Sequence, residues 1–185
     1  MVSTGLFTTS DLTTISRAAV LAERLTEQYF HLAPDEWKRN RYSIFTHKQV
    51  GRALHEQDVF AHVIRYKTRA GQPKAAQTVG REAYGVVLQD PNILAALLRS
   101  AVYDLWTLGL FVLTHELTHI VRFRKYGVDF FAPAGDRDKE EKVVHGITQE
   151  ILAGVTNTDH ILGLYERQLD RALKIQPEHP MTEVK

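Results

Sequence analysis

The sequence predicts an α+β protein that is mostly helical, with a small antiparallel or mixed sheet packed on its central helix. Several long stretches have the apolar spacing of helices, whereas only two short stretches alternate as strands do. The 185 residues include 44% hydrophobic side chains, which is enough for one domain with a core of its own. Cysteine is absent, so any transition metal must be held by nitrogen and oxygen ligands.

Charge and hydropathy do not point to a nucleic-acid or membrane partner. The formal net charge is +1, which provides no general attraction to anionic surfaces. Residues 1–16 lack the basic segment and apolar core of a secretory signal. The longest charge-free apolar run, residues 105–114, is well short of the ~20 residues that span a bilayer. We therefore expect a cytoplasmic protein, and nothing in the sequence indicates its oligomeric state.

The first predicted element is a helix that begins at Ser10 and Asp11, which can cap it, and runs to about His31. Pro34 closes this region. The apolar side chains of this helix follow the helical period and are Leu12, Ile15, Ala19, Ala22, Leu25 and Phe30.

Two strands are predicted in the middle of the chain. Residues 58–67 alternate and carry apolar groups on both sides, which favours a place inside a sheet. Residues 69–73 have the composition of a turn, and residues 84–89 are predicted as the second strand. The two strands would form a hairpin with a long, irregular connection.

The next predicted region is helical and contains a central, buried helix. Asp90 can cap a helix whose first residue is Pro91, and a break follows Arg99. Residues 104–125 are apolar nearly all round, which is typical of a helix buried on every side. Gly127 is suited to end this helix.

The last part of the chain is predicted to hold two more helices. One of them begins at Asp136 or Asp138 and ends at about Val155. The other, the predicted final helix, can be capped by Thr158 and Asp159 and ends near Ile175. It would complete a single domain of residues 1–175. Residues 176–185 contain two prolines and few apolar groups, so we expect a flexible tail.

The central helix carries the motif His115-Glu116-Leu117-Thr118-His119. Histidines four positions apart share one helix face, so both imidazoles can reach one ion at the ~2.0–2.1 Å typical of zinc–nitrogen bonds. Glu116 lies about 100° round the helix from His115, where it can reach a water bound to the ion and accept its proton. The alternative is a pair of hydrogen-bonded histidines beside a solvated glutamate.

Two imidazoles need a third ligand, and the best segment for it is residues 138–145 of the next helix. Glu141 is favoured because the residue one turn later, His145, is polar and can orient the other ligands. Glu140 is the rival, since it falls on the apolar stripe of that helix. Glu150 is a weaker third option.

The HExxH run of residues 115–119, followed by Glu141 on a second helix, resembles the gluzincin zinc metallopeptidases of the thermolysin-like clan. The similarity covers roughly residues 105–155, and the small size is similar to that of the minimal gluzincins. The resemblance implies a zincin-like fold in which zinc is bound by the two histidines and Glu141. A polar residue four positions later commonly supports a zinc-bound histidine in the clan. Here it is His145, where thermolysin-type enzymes have an aspartate.

The resemblance also implies an activity, that of a zinc-dependent peptidase with Glu116 as general base. His145, Tyr126 and His160 are the candidates for stabilising the oxyanion that forms on the attacked carbonyl. A peptide or protein substrate would lie across the motif helix and pair with an exposed sheet edge, for which residues 84–89 are the candidate. The alternative is a latent or non-catalytic metal-binding regulatory protein on the same scaffold.

Overall fold

The computed structural model describes residues 5–33, 36–39, 42–68, 81–99 and 103–155. It confirms a mixed, mostly helical fold with a small sheet. The predicted turn at residues 69–73, the predicted final helix and the predicted tail lie outside the described residues. No helix in the described part of the chain has both the length and the apolar character needed to cross a bilayer.

Six helices and three strands are present in the described ranges. The helices are α1 (Thr9–Phe30), α2 (Glu36–Arg39), α3 (His47–Val50), α4 (Asp90–Arg99), α5 (Leu105–Lys125) and α6 (Ala134–Leu152), and a 3₁₀ turn spans Gly51–Leu54. The strands are β1 (Tyr42–Thr46), β2 (Ala61–Thr68) and β3 (Arg81–Leu88). The four long helices and the strands β2 and β3 lie within a few residues of their predicted positions, whereas β1 was not predicted.

The sheet has the order β1-β3-β2, with β1 parallel and β2 antiparallel to β3. The predicted pairing of these two strands is confirmed by their antiparallel register, but their predicted positions within the sheet are wrong. The predicted edge strand, residues 84–89, is the central strand, and the strand expected inside the sheet lies at an edge of the described sheet. The physical reason is burial, because residues 83–88 of β3 are all buried whereas β2 is only partly covered after Ala61.

Gly85 allows the close packing of the strands on both sides of β3. A Cβ atom at this position would lie 2.7 Å from Cε2 of Phe45 on β1 and 3.0 Å from Cγ1 of Ile64 on β2. The absence of a side chain lets these two apolar groups meet over the middle strand. This contact helps to explain why β3 pairs on both sides.

Helix α5 is the central element of the core. Every residue from Thr107 to Val121 is buried, as its all-round apolar character predicts. Helix α1 packs along α5 on one side, and the sheet and α6 pack on it elsewhere. Gly127 follows the helix with φ of +67°, a left-handed conformation that glycine adopts without strain. The motif histidines therefore lie on a helix that is packed on all sides.

The helix caps differ in part from those predicted. Thr8, not Ser10 or Asp11, caps α1, and Asp11 completes a capping box with its carboxylate on the Thr8 backbone N–H at 2.8 Å. Asp90 is buried and accepts hydrogen bonds from the backbone N–H groups of Phe7 and His47. Its carboxylate therefore ties two distant segments to the start of α4.

Asp104 caps the motif helix, and removing this cap should destabilise the protein in a pH-dependent way. Its carboxylate accepts hydrogen bonds from the backbone N–H and the hydroxyl of Thr107 at 2.8 and 2.7 Å. The Thr107 backbone bond holds the pKa of Asp104 below its usual value. We expect Asp104→Ala to lower the free energy of unfolding by about 1 kcal/mol at neutral pH.

A lowered folded-state pKa stabilises the fold above the unfolded pKa of about 3.9, and this contribution is lost as the pH falls through the folded value. The difference between wild type and Asp104→Ala in urea unfolding should therefore shrink below about pH 4. Asp104→Asn is the control, since a neutral cap retains the hydrogen bonds and should show less dependence on pH. An equal loss at pH 7 and pH 3 would contradict this role of the carboxylate.

Candidate metal centre

Three predicted ligands meet at the junction of α5 and α6. His115 and His119, one turn apart on α5, have their Nε2 atoms 3.2 Å from each other. The carboxylate of Glu141 on α6 faces both, with Oε2 at 3.3 Å from His115 Nε2 and Oε1 at 3.1 Å from His119 Nε2. The histidines are only 1% and 6% exposed, whereas the Glu141 side chain is 26% exposed. The two histidines are therefore enclosed by the protein core, and the cluster of three side chains is open to solvent on the side of Glu141.

The distances between the three donor atoms are close to those expected when all three bind one cation. Metal–ligand bonds of about 2.0–2.2 Å at tetrahedral angles place neighbouring donor atoms about 3.3–3.6 Å apart. The observed distances of 3.1 to 3.3 Å are close to that range and need only a small outward movement. Among the described residues, His115, His119 and Glu141 form a group that could hold a metal ion. Two imidazole nitrogens and one carboxylate are also the ligand types that remain for a transition metal in a chain without cysteine.

The protonation states of the group are set by burial and by mutual attraction. Burial lowers the pKa of His115 to about 4, so this ring is neutral at pH 7. Burial also opposes a charge on His119, but the Glu141 carboxylate outweighs it and raises the pKa to about 9. Burial would raise the pKa of Glu141, yet the two imidazoles hold it far below its usual range. Without a bound cation, His119 and Glu141 thus form an ion pair at neutral pH.

Aromatic stacking orients His119. Its outer nitrogen, Nδ1, is buried and has no hydrogen-bond partner among the residues that the structure describes. The ring instead lies nearly parallel to Phe123, with the centroids 5.7 Å apart and an angle of 20° between the planes. This departs from the usual metal-bound histidine, whose outer nitrogen donates to a carboxylate or carbonyl.

Glu116 lies next to the ligands and is buried, at 4% exposure. Its negative charge contributes to the raised pKa of His119, so its carboxylate lies within electrostatic reach of the group. The burial of this part of α5 and the helical offset from His115 therefore place the Glu116 side chain near His119.

The two rival glutamates are engaged elsewhere. Arg122 binds Glu140 through two hydrogen bonds, one from Nε to Oε1 and one from Nη2 to Oε2 at 2.8 Å. Glu150 accepts a hydrogen bond from the Tyr29 hydroxyl. This bidentate ion pair occupies both oxygens of the Glu140 carboxylate, and the structure places the Glu141 carboxylate against the two histidines instead.

Of the candidates for oxyanion stabilisation, the two that the structure describes, His145 and Tyr126, do not line the open side of the centre. His145 lies beside His115, whose pKa it helps to lower, and its Nε2 is 3.0 Å from the Gln149 amide nitrogen. Tyr126 is exposed at the end of α5 and packs on Phe30, with ring centroids 5.8 Å apart. His160 lies outside the described residues. His145 therefore lies near His115 and does not line the open side of the centre, and its role stays a prediction.

A cleft of about 380 Å³ opens against His119 and Glu141. Its walls come from the end of α5, the loop 128–133 and the first turns of α6, and they are formed by Phe123, Val128, Asp129, Phe130, Ala132, Pro133, Asp136, Arg137 and Glu140 besides the two ligands. Sequence reasoning missed the cleft residues Phe123, Phe130 and Arg137. One available signal was the pair of phenylalanines in a loop between two ligand-bearing helices. Another was an arginine one helical turn before Glu141.

No family model matches the chain, and the comparisons with curated proteins and with solved structures find no match either.

Proposed function

We propose that this protein is a zinc-dependent hydrolase, specifically a metallopeptidase that cleaves peptide bonds in a peptide or protein substrate. The observation that carries the proposal is the convergence of His115, His119 and Glu141 on one point beside an open cleft. Three protein ligands with one side open is the pattern of catalytic zinc sites, whereas structural sites have four protein ligands.

Different residues of the chain would bind the metal and transfer the proton during hydrolysis. His115 and His119 would bind zinc as neutral imidazoles, and Glu141 would bind it as a carboxylate. When bound, zinc would polarise the substrate carbonyl and lower the pKa of a bound water toward ~7. The Glu116 carboxylate accepts a proton from the attacking water and returns it to the amine that leaves when the peptide bond breaks. The Glu116 side chain is suited to hold this proton because little of it is exposed to solvent.

Strand β2 is the sheet edge best placed for substrate, in place of the predicted residues 84–89. In the described sheet β2 pairs with β3 alone, so its other side offers backbone groups to an added strand. The guanidinium of Arg65 on β2 lies over the Phe131 ring at 4.6 Å and over the Phe130 ring at 5.8 Å. These contacts join the edge strand to the loop that forms one wall of the cleft.

Metal removal and restoration test the proposal. We expect protein treated with a chelator to take up one zinc ion per chain in calorimetric titration, and to be stabilised by about 4 kcal/mol at zinc concentrations near 1,000 times the dissociation constant. Hydrolysis of a peptide library, followed by mass spectrometry, should stop on chelation and return with zinc. Zinc binding without hydrolysis would support the non-catalytic alternative, and the absence of zinc binding would refute both.

A further inference from the structure

The cleft beside the candidate centre contains an arginine whose charge is not matched by the described part of the chain. Arg137 lies in the first turn of α6 and lines the cleft. Its Nε atom is buried and has no hydrogen-bond partner among the described residues. Burying part of a guanidinium without a hydrogen-bond partner is unfavourable. A ligand that supplies a hydrogen-bond acceptor would therefore bind with a more favourable free energy.

The other charged groups of the cleft wall are already engaged. The Asp129 carboxylate accepts a hydrogen bond from the backbone N–H of Phe131 at 2.9 Å. Asp136 binds the Lys139 ammonium group at 2.8 Å, and Glu140 is held by Arg122. Arg137 is therefore the cleft cation that remains for a ligand, although Asp129 and Asp136 add negative charge at the rim.

The surroundings of Arg137 strengthen an ion pair with a bound anion. The wall next to the ligand His119 is aromatic, with the Phe123 and Phe130 rings 5.2 Å apart. A substrate seated against these rings displaces water from the cleft. Charges then interact in a medium of lower dielectric constant, where their attraction is larger.

The spacing between Arg137 and the centre sets the position of the anion on the substrate. Arg137 and Glu141 are four residues apart on one face of α6, which places them about one turn, or 5.4 Å, apart along the helix. An extended peptide advances about 3.3–3.6 Å per residue. An anion one or two residues from a carbonyl at the metal centre would therefore meet the guanidinium.

We propose that Arg137 is a specificity residue that binds a substrate carboxylate one or two residues from the scissile bond. This inference rests on the proposed peptidase function and adds the class of substrate to it. The carboxylate has two possible sources, the C-terminus of a short peptide or the side chain of an internal Asp or Glu. The geometry of a planar guanidinium suits both, because it can donate two parallel hydrogen bonds to a carboxylate.

Binding of three peptides to the zinc-loaded Glu116→Gln variant tests the proposal without turnover. The peptides are acetyl-Ala-Ala-Phe with a free C-terminal carboxylate, the same peptide as a C-terminal amide, and acetyl-Ala-Glu-Phe amide. We expect at least one of the two carboxylate peptides to bind about tenfold more tightly than the uncharged amide in calorimetry, as hydrogen bonds to charged groups do. The peptide that gains identifies the source of the carboxylate. Equal binding of all three would overturn the proposal.

Arginine variants assign the effect to this side chain. Arg137→Gln should remove the preference for the carboxylate, and Arg137→Lys should retain part of it. Arg17→Gln is the matched control, because Arg17 is exposed on α1 and its loss changes the net charge equally. A preference that persists in Arg137→Gln would mean that the carboxylate binds elsewhere, for example to the metal, and would overturn the proposal. Should Arg137→Gln fail to fold, the peptide comparison and Arg137→Lys still decide.

Failure of this inference is distinguishable from failure of the proposed function. A protein that takes up zinc and hydrolyses charged and amidated peptides at equal rates would leave the peptidase standing and remove the role of Arg137. A protein that takes up no zinc would refute the peptidase. The same peptides titrated into that metal-free protein, with and without Arg137→Gln, would then show whether Arg137 still binds a carboxylate.

Discussion

Glu116→Gln is expected to reduce peptide hydrolysis by a factor of about 10²–10⁴ or more while zinc stays bound. The amide has nearly the shape of the carboxylate, so the buried position beside the ligands remains filled. It cannot accept the proton of the attacking water, which is the step assigned to this residue. The measurements are the rate of hydrolysis of a single library-derived peptide and the zinc content of the same sample by mass spectrometry.

A matched substitution controls for general effects of removing a glutamate. Glu150→Gln changes the same chemical group on α6, where the side chain contacts Tyr29 away from the centre. We expect its zinc content and its rate to stay close to wild type. Loss of zinc from Glu116→Gln would show that Glu116 is itself a ligand or supports one, and a rate within a few-fold of wild type would exclude it as the general base.

Glu141→Gln is expected to weaken zinc binding by a factor of more than ~100. Removing an outer-shell partner of a metal site already costs about 10–100-fold, and the carboxylate here is placed to bind the ion itself. The substitution removes the negative charge that lies 3.1 Å and 3.3 Å from the two histidine Nε2 atoms. Competition with a chromogenic zinc chelator would give the affinities of the variant and the wild type.

The neighbouring glutamate provides the control for this prediction. Glu140→Gln alters the adjacent position on the same helix, where both carboxylate oxygens are bound to Arg122. We expect zinc affinity within a few-fold of wild type, with a modest loss of stability in thermal unfolding. If Glu140→Gln lost zinc and Glu141→Gln retained it, the ligand assignment would be reversed and α6 would have to be rotated relative to α5.

The elements that the sequence predicted well have strong local signals. The apolar run of α5 and its stop at Gly127 are both visible within a few residues of chain. The spacing of His115 and His119 on that helix fixes their common face, whatever surrounds it. Helices α1 and α6 follow from apolar periodicity in the same way, with ends displaced by a few residues.

The strand order could not be read from local signals. Strand β1 is only five residues long and largely half-buried, and it joins the sheet through parallel pairing with β3, in which Tyr42 pairs with Tyr84, 42 positions later. Only that distant pairing makes β3 the central strand and leaves β2 at an edge. The predicted substrate edge was wrong for this reason, because a strand's neighbours are a property of the assembled sheet.

The sequence by itself determined the histidine pair on one face of α5, the adjacent Glu116 and the buried helix that carries them, because these depend on contacts within one or two helical turns. The tertiary structure decided which glutamate faces the histidines, since that depends on the rotation of α6 and on the capture of Glu140 by Arg122. It also decided that Arg137 and the phenylalanines share a cleft with the centre. Such relations join residues of separate elements, and only the packing of those elements brings them together.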